Sequence, residues 1–127
     1  MGGTCAETTW REELIPLLNI NYFDPVVEDW NEEAQKQEIF ERENCDYCLY
    51  TITPKMQDVY SIAEIIQDSN ERPEKTVVCL LKNDENETFS EFQWKSLEQV
   101  GKMAKQNGAK IFYNLEEVAK YLNEKIN

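Results

Sequence analysis

The sequence predicts an α/β domain in which a parallel β-sheet is covered on both faces by helices. Short β-rich runs alternate with helical patterns along the chain, an order typical of parallel sheets whose strands are joined by helices. The run TVVCLL is continuously apolar and rich in β-branched residues, as strands inside such sheets are. The length of 127 residues, 41% of them hydrophobic, suits one domain with one core, and no repeat or Pro/Gly-rich linker divides it.

The first half of the chain predicts the order helix, strand, helix, strand, over about residues 9–18, 23–27, 31–42 and 45–53. Thr9 and Glu12 form a capping-box pattern at the start of the first helix. The strand FDPVV is expected at an edge, because Pro25 cannot donate a hydrogen bond to a neighbouring strand. The second helix is polar and expected to be exposed. Pro54 ends the strand CDYCLYTIT.

The second half predicts a helix, a strand, a polar loop, a helix, a strand and a final helix, the first five over about residues 60–68, 76–81, 83–88, 91–106 and 109–113. Gly108 is suited to end the long helix, since glycine readily takes the left-handed conformation found after helix ends. Asn114 and Glu117 provide the cap of the final helix, which carries a regular apolar stripe.

The sequence shows no recognisable first strand for this pattern. A doubly wound sheet normally begins with a central strand, and the turn after it enters the first helix. Here Gly2 and Gly3 stand where that strand should already have ended. The sequence therefore predicts either that the first strand is missing from this chain or that the fold forms without it.

The net charge of −12, from 25 acidic and 13 basic side chains, excludes several partner classes. Such a surface repels polyphosphate, so we expect no nucleic-acid polymer as the main partner. It also disfavours anionic membranes, and no window approaches the roughly 18 consecutive apolar residues of a membrane helix. The N-terminus lacks the basic flank and apolar core of a secretory signal, so the expected compartment is the cytosol. A small nucleoside or nucleotide in a local pocket remains compatible with the charge.

Because the chain has no histidine, imidazole chemistry and most zinc sites are excluded, and we expect no metal and no cofactor. Any general acid–base catalysis would then use carboxylates, tyrosines, lysines or thiols. Cys45-x-x-Cys48 resembles half of a zinc site or a redox pair, but only Cys5 and Cys79 remain as further thiol ligands. Because residues three apart in one strand point to opposite faces, we expect the two thiols not to converge and to be core residues. We expect the thiols to be reduced in the cytosol.

The segment from Asp46 to Glu64 is the first candidate site, because ligands bind beyond the carboxyl ends of parallel strands. Asp58 and Ser61 fall where a loop enters a helix, whose free N–H groups favour polar or anionic atoms. Tyr60, Ser61 and Glu64 are spaced to share one helical face. Glu64 is then a candidate nucleophile or acid–base group. The alternative is that Asp58 is a helix cap and Glu64 is solvated.

Two further groups are candidates for ligand binding. Gly2, Gly3 and Thr4 would let the backbone approach a ligand closely and offer it a hydroxyl group, although an ordinary loop would explain them as well. Trp10 belongs to a group of aromatic residues near the first helix that are able to stack on a nucleobase. Packing in the core is the equal alternative for that group.

Several segments, in their order and spacing, resemble one family. They are GGT, TWREELIPLL, YFDPVVEDWNEEAQ, ERENCDYCLYTITPKM, and VYSIAEIIQDSN followed by RPEKTVVCLL. From Gly2 to about Leu81 this pattern is similar to the nucleoside 2-deoxyribosyltransferase-like family, in its short bacterial and phage-type branch. The resemblance loosens through NGAKIFYNLEEVAKYLN. It implies a flavodoxin-like sheet and cleavage or transfer at an N-glycosidic bond.

The resemblance also implies roles for particular residues. The family's nucleophilic glutamate follows an aspartate by six positions, an interval that Asp58 and Glu64 keep. Glu64 would attack the anomeric carbon of the sugar, giving a glycosyl-enzyme that another base or water then releases. Asp46 or Asp58 would protonate or bind the leaving base, and Ser61 with Asp58 would hold sugar hydroxyls or a 5′-phosphate. Asp24 stands where the family often has asparagine.

The chain also departs from the family pattern. Val59 and Tyr60 replace the small glycine that usually follows the aspartate, which narrows the expected pocket. An asparagine that family members can lend to a neighbouring subunit has only Asn123 or Asn127 as a counterpart. A homo-oligomer, dimer or larger, is nevertheless implied. The alternatives to an enzyme are a nucleotide-binding or sensing module without turnover, and a purely structural oligomerisation domain.

Overall fold

A computed structural model describes residues 2–4, 8–22, 24, 31–57 and 59–126, without the side chains of Arg42 and Ile126. Its helices are α1 (Trp10–Leu14), α2 (Glu32–Asn44), α3 (Tyr60–Glu71), α4 (Glu91–Asn107) and α5 (Leu115–Ile126). Short 3₁₀ turns occupy Ile15–Leu17 and Pro73–Lys75. Its strands are β1 (Gly2–Gly3), β2 (Cys48–Ile52), β3 (Thr76–Leu80), β4 (Asn83–Asp84), β5 (Glu87–Thr88) and β6 (Lys110–Phe112). The expected strand over residues 23–27 lies outside the described residues.

Four strands form one parallel sheet in the order β1-β2-β3-β6. β2 and β3 pair along their whole length, from Cys48 opposite Thr76 to Ile52 opposite Leu80. β6 pairs with the other side of β3, and β1 pairs with the other side of β2. With helices on both faces, this arrangement confirms the flavodoxin-like (Rossmann-like) α/β fold predicted from the sequence.

Gly2 and Gly3 themselves form a first strand, which is two residues long. Gly2 lies opposite Tyr50 and Gly3 opposite Thr51, in parallel pairing with β2. Two glycines carry neither β-branched side chains nor an alternating pattern, so no strand is predicted there from the residues alone. Gly2 and Gly3 therefore belong to the sheet, and Thr4 is the residue that follows the strand.

Both faces of the sheet are buried, which explains the continuous apolar character of its central strands. Every residue of β2 and β3 is buried. On one face, α1 and α5 pack over the sheet with a core formed by Trp10, Leu14, Leu49, Val77, Cys79, Leu115, Val118, Ala119 and Leu122. On the other face, α3 and α4 pack over a core formed by Cys48, Tyr50, Ile52, Ile65, Val78, Leu80, Leu97, Ala104 and Ala109. Helices with one apolar stripe can bury it only in such layers.

The predicted helix ends of the second half are mostly confirmed. Gly108 follows α4 with a φ of 115°, in the left-handed conformation that glycine adopts without a side-chain clash. The side chain of Asn114 accepts a hydrogen bond of 2.8 Å from the backbone N–H of Glu117, which caps α5. A capping box at the start of α4 joins Ser90 and Gln93, each side chain accepting from the other's backbone N–H.

Two local predictions are wrong. Thr9 precedes α1 but makes no side-chain capping bond, and its hydroxyl instead donates to the Glu13 carboxylate at 3.5 Å, so Glu12 closes no capping box. The predicted polar loop over residues 83–88 is a small antiparallel hairpin of β4 and β5. Its strands are two residues long, too short to show the alternation by which a strand is recognised in a sequence.

The predicted separation of Cys45 and Cys48 is also wrong. β2 begins at Cys48, and Cys45 lies in the bend that joins α2 to β2. The rule that residues three apart face opposite ways holds only inside a strand, so it does not apply to this pair. The two sulfur atoms are 3.0 Å apart.

The polar helix predicted over residues 31–42 is confirmed as α2. Asn31 caps it by accepting a hydrogen bond of 2.8 Å from the backbone N–H of Ala34. None of its described side chains is buried. Among the described helices, none combines the length and the apolar character that crossing a bilayer requires.

Candidate functional site

The topology has a switch point at the carboxyl ends of β1 and β2, which is where a ligand-binding crevice is expected in a parallel sheet. These two strands are neighbours, but the helix that follows β1 packs on one face of the sheet and the helix that follows β2 packs on the other. The chain therefore leaves the sheet in opposite directions at this point, which opens a gap between the two connections. In parallel sheets such gaps are where ligands bind.

Thr4 forms the floor of this crevice. Its backbone N–H donates to the carbonyl of Thr51 at 2.9 Å, and its hydroxyl oxygen accepts from the N–H of Thr53 at 2.9 Å. Its carbonyl accepts both the indole N–H of Trp10, at 2.6 Å, and a guanidinium N–H of Arg11, at 2.8 Å. One buried residue thus ties the end of β1 to β2 and to the start of α1.

Arg11 and Trp10 belong to the wall formed by α1. The Arg11 guanidinium lies over the Trp10 ring, 4.2 Å from its centroid, and Arg11 Nε is 3.0 Å from a carboxylate oxygen of Asp24. The Trp10 side chain is only 1% exposed. This geometry favours the packing interpretation of Trp10 over base stacking. Asp24 is brought to the site as the ion-pair partner of Arg11.

Asp84 closes the crevice from the side of β3. It is buried at the end of β4, and its Oδ2 accepts the hydroxyls of Thr8, at 2.5 Å, and of Thr53, at 2.7 Å. Lys55 Nζ lies 3.9 Å from the other carboxylate oxygen and 2.7 Å from Glu85. Its hydrogen bond with Glu85 raises the pKa of Lys55. Asp84 therefore joins the segments that follow β1, β2 and β3.

The sheet-facing side of α3 carries the candidate nucleophile. Ser61 and Glu64 are both buried, and Glu64 is only 6% exposed, so the alternative that Glu64 is solvated is wrong. Their spacing places them on the same side of the helix, one turn from its N-terminus. The helix dipole favours negative charge there. Asp58 lies outside the described residues.

One turn further along α3, a second buried carboxylate is held by a tyrosine and an arginine. The Tyr50 hydroxyl donates to Asp68 Oδ2 at 2.5 Å, and Arg72 Nη2 lies 3.3 Å from Asp68 Oδ1. Tyr50 comes from β2, so this network fixes α3 against the sheet. Because α3 is rigidly docked, Glu64 is held in a defined position above the strands.

The start of α3 is more open. The side chains of Val59 and Tyr60 are 74% and 62% exposed, respectively. They stand at the entrance of α3, where the resembling family has a small residue. Tyr60 is therefore exposed and does not share the buried face of Ser61 and Glu64, which corrects the shared face predicted from their spacing.

Not every residue predicted from the sequence comes to this edge. Asp46 precedes β2 and is exposed at the amino ends of the strands, whereas Glu64 lies on α3 near their carboxyl ends. The amide of Asn123 is bound within its own chain, accepting from the N–H of Asn19 at 2.8 Å and donating to the carbonyl of Leu17 at 2.9 Å. Asn127 lies outside the described residues.

Sequence reasoning missed four residues of the site: Arg11, Thr53, Lys55 and Asp84. A signal for three of them was present, because Thr53, Lys55 and Asp84 follow directly on the two buried strands β2 and β3. The rule that ligands sit beyond strand ends applies to each such segment, including the polar stretch after β3. Arg11 had no such signal, since its partner carbonyl is set only by the tertiary fold.

Replacing Asp84 with alanine should lower the free energy of unfolding by about 2 to 3 kcal/mol. The change leaves the Thr8 and Thr53 hydroxyls without their carboxylate acceptor and removes one neighbour of Lys55. Urea unfolding followed by circular dichroism measures the effect. Glu87→Ala is the matched control, because Glu87 is an exposed acid of the same hairpin. Equal stability of the two variants would contradict the role given to Asp84.

Comparison of the chain with family models, with characterised proteins and with solved structures finds no match. Within the described part of the chain, no group of three or more Cys, Asp or Glu side chains is arranged to hold a metal ion. The functional proposal therefore depends on the crevice residues and on the resemblance set out from the sequence.

Proposed function

We propose that the chain acts on nucleosides or nucleotides at the N-glycosidic bond, by 2-deoxyribosyl transfer or by hydrolysis, with Glu64 as nucleophile. The observation that carries the proposal is the position of Glu64. It is a buried carboxylate on the sheet-facing side of α3, beside the crevice at the strand ends. The resemblance to the nucleoside 2-deoxyribosyltransferase-like family supports the same residue.

The chemistry has two steps. In the first, a carboxylate oxygen of Glu64 forms a bond to the anomeric carbon while the carbon–nitrogen bond breaks, and the electron pair leaves with the base, which an acid protonates. In the second, water or another base attacks the same carbon and releases the Glu64 carboxylate. A glycosyl ester on glutamate therefore links both outcomes, and the acceptor alone decides between transfer and hydrolysis.

Other residues of the crevice would bind the substrate. The Ser61 hydroxyl lies at the start of α3, where free backbone N–H groups favour the oxygens of a sugar or a 5′-phosphate. Asp58 is proposed as the acid that assists the leaving base. Asp46 is the weaker candidate for this role, because it lies at the other edge of the sheet.

A second candidate function is nucleotide binding without turnover. The exposed Val59 and Tyr60 favour it, because these side chains at the start of α3 are larger than the glycine of the similar family and would narrow an approach to Glu64 from this end of the helix. In this case the protein would report on a nucleotide by a change in stability or shape, and no bond would break.

Incubation of the chain with 2′-deoxynucleosides and their 5′-monophosphates separates these functions. We expect release of free base, and formation of a new nucleoside when a second base is added, both followed by chromatography. A rise in melting temperature with nucleotide but no released base selects the binding module, since a ligand that binds the folded state stabilises it. If the chain releases no base and is stabilised by none of these compounds, both functions are contradicted.

A further inference from the structure

Cys45 and Cys48 form a close thiol pair at the amino end of β2. The proposed nucleoside site lies at the opposite, carboxyl end of that strand. Their sulfur atoms are 3.0 Å apart, and one thiol hydrogen-bonds to the other. Cys45 is half-buried and Cys48 is buried. A disulfide places two sulfurs about 2.05 Å apart, so a movement of about 1 Å would allow the bond to form.

An open polar groove of about 670 Å³ lies beside this pair. It is lined by Cys45, Asp46, Tyr47, Glu74, Lys75 and Lys125. Lys75 Nζ donates to the backbone carbonyls of Glu43, at 3.0 Å, and Cys45, at 2.9 Å, so its positive charge is fixed beside Cys45. A partly exposed thiol next to a cation is the environment in which cysteines react.

The two thiols differ in acidity. The hydrogen bond from Cys48 lowers the pKa of Cys45 to about 7, with a further contribution from Lys75 that opposes the effect of burial. The same hydrogen bond, together with burial and the neighbouring carboxylate of Asp68, raises the pKa of Cys48. Near neutral pH a large fraction of Cys45 is therefore thiolate, and Cys48 is the thiol that can donate to it.

We propose that Cys45 and Cys48 form a reversible dithiol–disulfide site, in which Cys45 attacks a small disulfide in the adjacent groove and Cys48 then closes the intramolecular bond. This site is independent of the nucleoside chemistry proposed for the other edge of the sheet. The groove gives a small disulfide access to Cys45. Cys48 lies under Cys45, where it can reach that sulfur but is shielded from solvent.

The reaction balances as two exchange steps. In the first, the Cys45 thiolate attacks one sulfur of the small disulfide, forming a mixed disulfide and releasing one thiolate, which takes up a proton. In the second, Cys48 attacks the Cys45 sulfur and expels the second thiolate, which takes up the proton that Cys48 loses. The two protein thiols are oxidised to a disulfide, and the small disulfide is reduced to two thiols. Excess small thiol reverses both steps.

Cys79 provides an internal comparison. It is fully buried in β3, and burial raises its pKa to about 12. It should therefore remain a thiol under conditions that oxidise the pair. Peptide mapping then distinguishes a reactive site at Cys45 and Cys48 from general oxidation of the chain.

The test uses the full chain and oxidised glutathione as the probe. In the wild-type chain we expect the segment that carries Cys45 and Cys48 to lose two hydrogens by mass, and reduced glutathione to restore them. In Cys48→Ser we expect one glutathione to remain attached at Cys45, because the closing thiol is missing. Cys45→Ser should acquire neither modification at Cys48. A pair that stays reduced in excess oxidised glutathione would overturn the proposal, as would glutathione attached at Cys48 in Cys45→Ser.

A second measurement compares the pH dependence of alkylation in the wild-type chain and in one variant. Alkylation of Cys45 by iodoacetamide, followed by peptide mapping, should rise with pH and be half-maximal near pH 7, because only the thiolate reacts. In Cys48→Ala the midpoint should move to higher pH, since the hydrogen bond that stabilises the thiolate is lost. A wild-type midpoint at the ordinary value for a cysteine, above pH 8, would contradict the assignment of Cys45 as the attacking sulfur.

Discussion

Replacing Glu64 with glutamine should lower the rate of base release by at least about a thousandfold, as loss of a covalent nucleophile does in other enzymes. Glutamine keeps the size of the side chain and its ability to accept a hydrogen bond, but its neutral amide is a poor nucleophile towards an anomeric carbon. Because Glu64 is buried on a helix that Asp68 and Tyr50 hold to the sheet, the variant should fold and still bind nucleotide. Initial rates of base release from a 2′-deoxynucleoside measure the effect.

Glu71→Gln is the matched control for this experiment. It removes the same charge from the same helix, but at an exposed position in the last turn, where Glu71 forms an ion pair with the neighbouring Arg72. Its rate should stay within about twofold of the wild-type rate, because surface substitutions away from a site have small effects. Full activity of Glu64→Gln would remove the covalent mechanism, even if the chain binds nucleotides. Retained stabilisation by nucleotide in that variant would separate loss of chemistry from loss of binding.

The Gly3→Ala variant should lose at least about 3 kcal/mol of unfolding free energy, because an alanine there combines a backbone conformation that L-residues disfavour with a clash against backbone. Gly3 has a φ of 109°, and a Cβ built on it would lie 2.7 Å from both the nitrogen and the carbonyl carbon of Thr51. Its closest contact would be with the Thr51 carbonyl oxygen. These are backbone atoms of the central strand β2, so they cannot move aside without disturbing the sheet. Denaturant unfolding measures the loss, with soluble yield as the readout if the variant does not fold.

Gly101→Ala is the control for a buried glycine in an ordinary conformation. A Cβ at Gly101 would meet the tip of the Leu80 side chain at 3.1 Å and an Ile111 methyl at 3.7 Å. Such side-chain ends are able to shift, and alanine favours a helix over glycine by about 1 kcal/mol, so the net change should be small. If Gly3→Ala were as stable as Gly101→Ala, the placement of Gly2 and Gly3 as a strand against β2 would be wrong.

The sequence predicted the elements whose residues carry a long or uniform pattern. The apolar run from Thr76 and the amphipathic helices α3, α4 and α5 are of this kind, and their bounds differ from the prediction by only a few residues. The roles of Gly108 at the end of α4 and of Asn114 as the cap of α5 were predicted, because each depends only on residues within one helical turn. Thr9 was not, because its hydroxyl had a competing acceptor in Glu13 that local spacing did not reveal.

The candidate site was predictable only in part. The spacing of Ser61 and Glu64 indicated a shared helical face. Whether that face is exposed or buried depends on tertiary packing, and in the structure it is buried. Asp84 joins Thr8 and Thr53 across long stretches of chain, a contact that no local pattern encodes. The approach of Cys45 to Cys48 required knowing that β2 begins at Cys48, and strand ends are the least predictable part of a strand.

The bonds made by Thr4 limit how a ligand can be recognised. Its N–H, its carbonyl and the acceptor side of its hydroxyl are all engaged with Thr51, Trp10, Arg11 and Thr53. Within the described part of the chain, these bonds use every polar group of Thr4 except its hydroxyl hydrogen. Under the proposed function, discrimination between one base or sugar and another would therefore come from the side chains around Thr4, and an engineer seeking altered selectivity would change those and leave Thr4 intact.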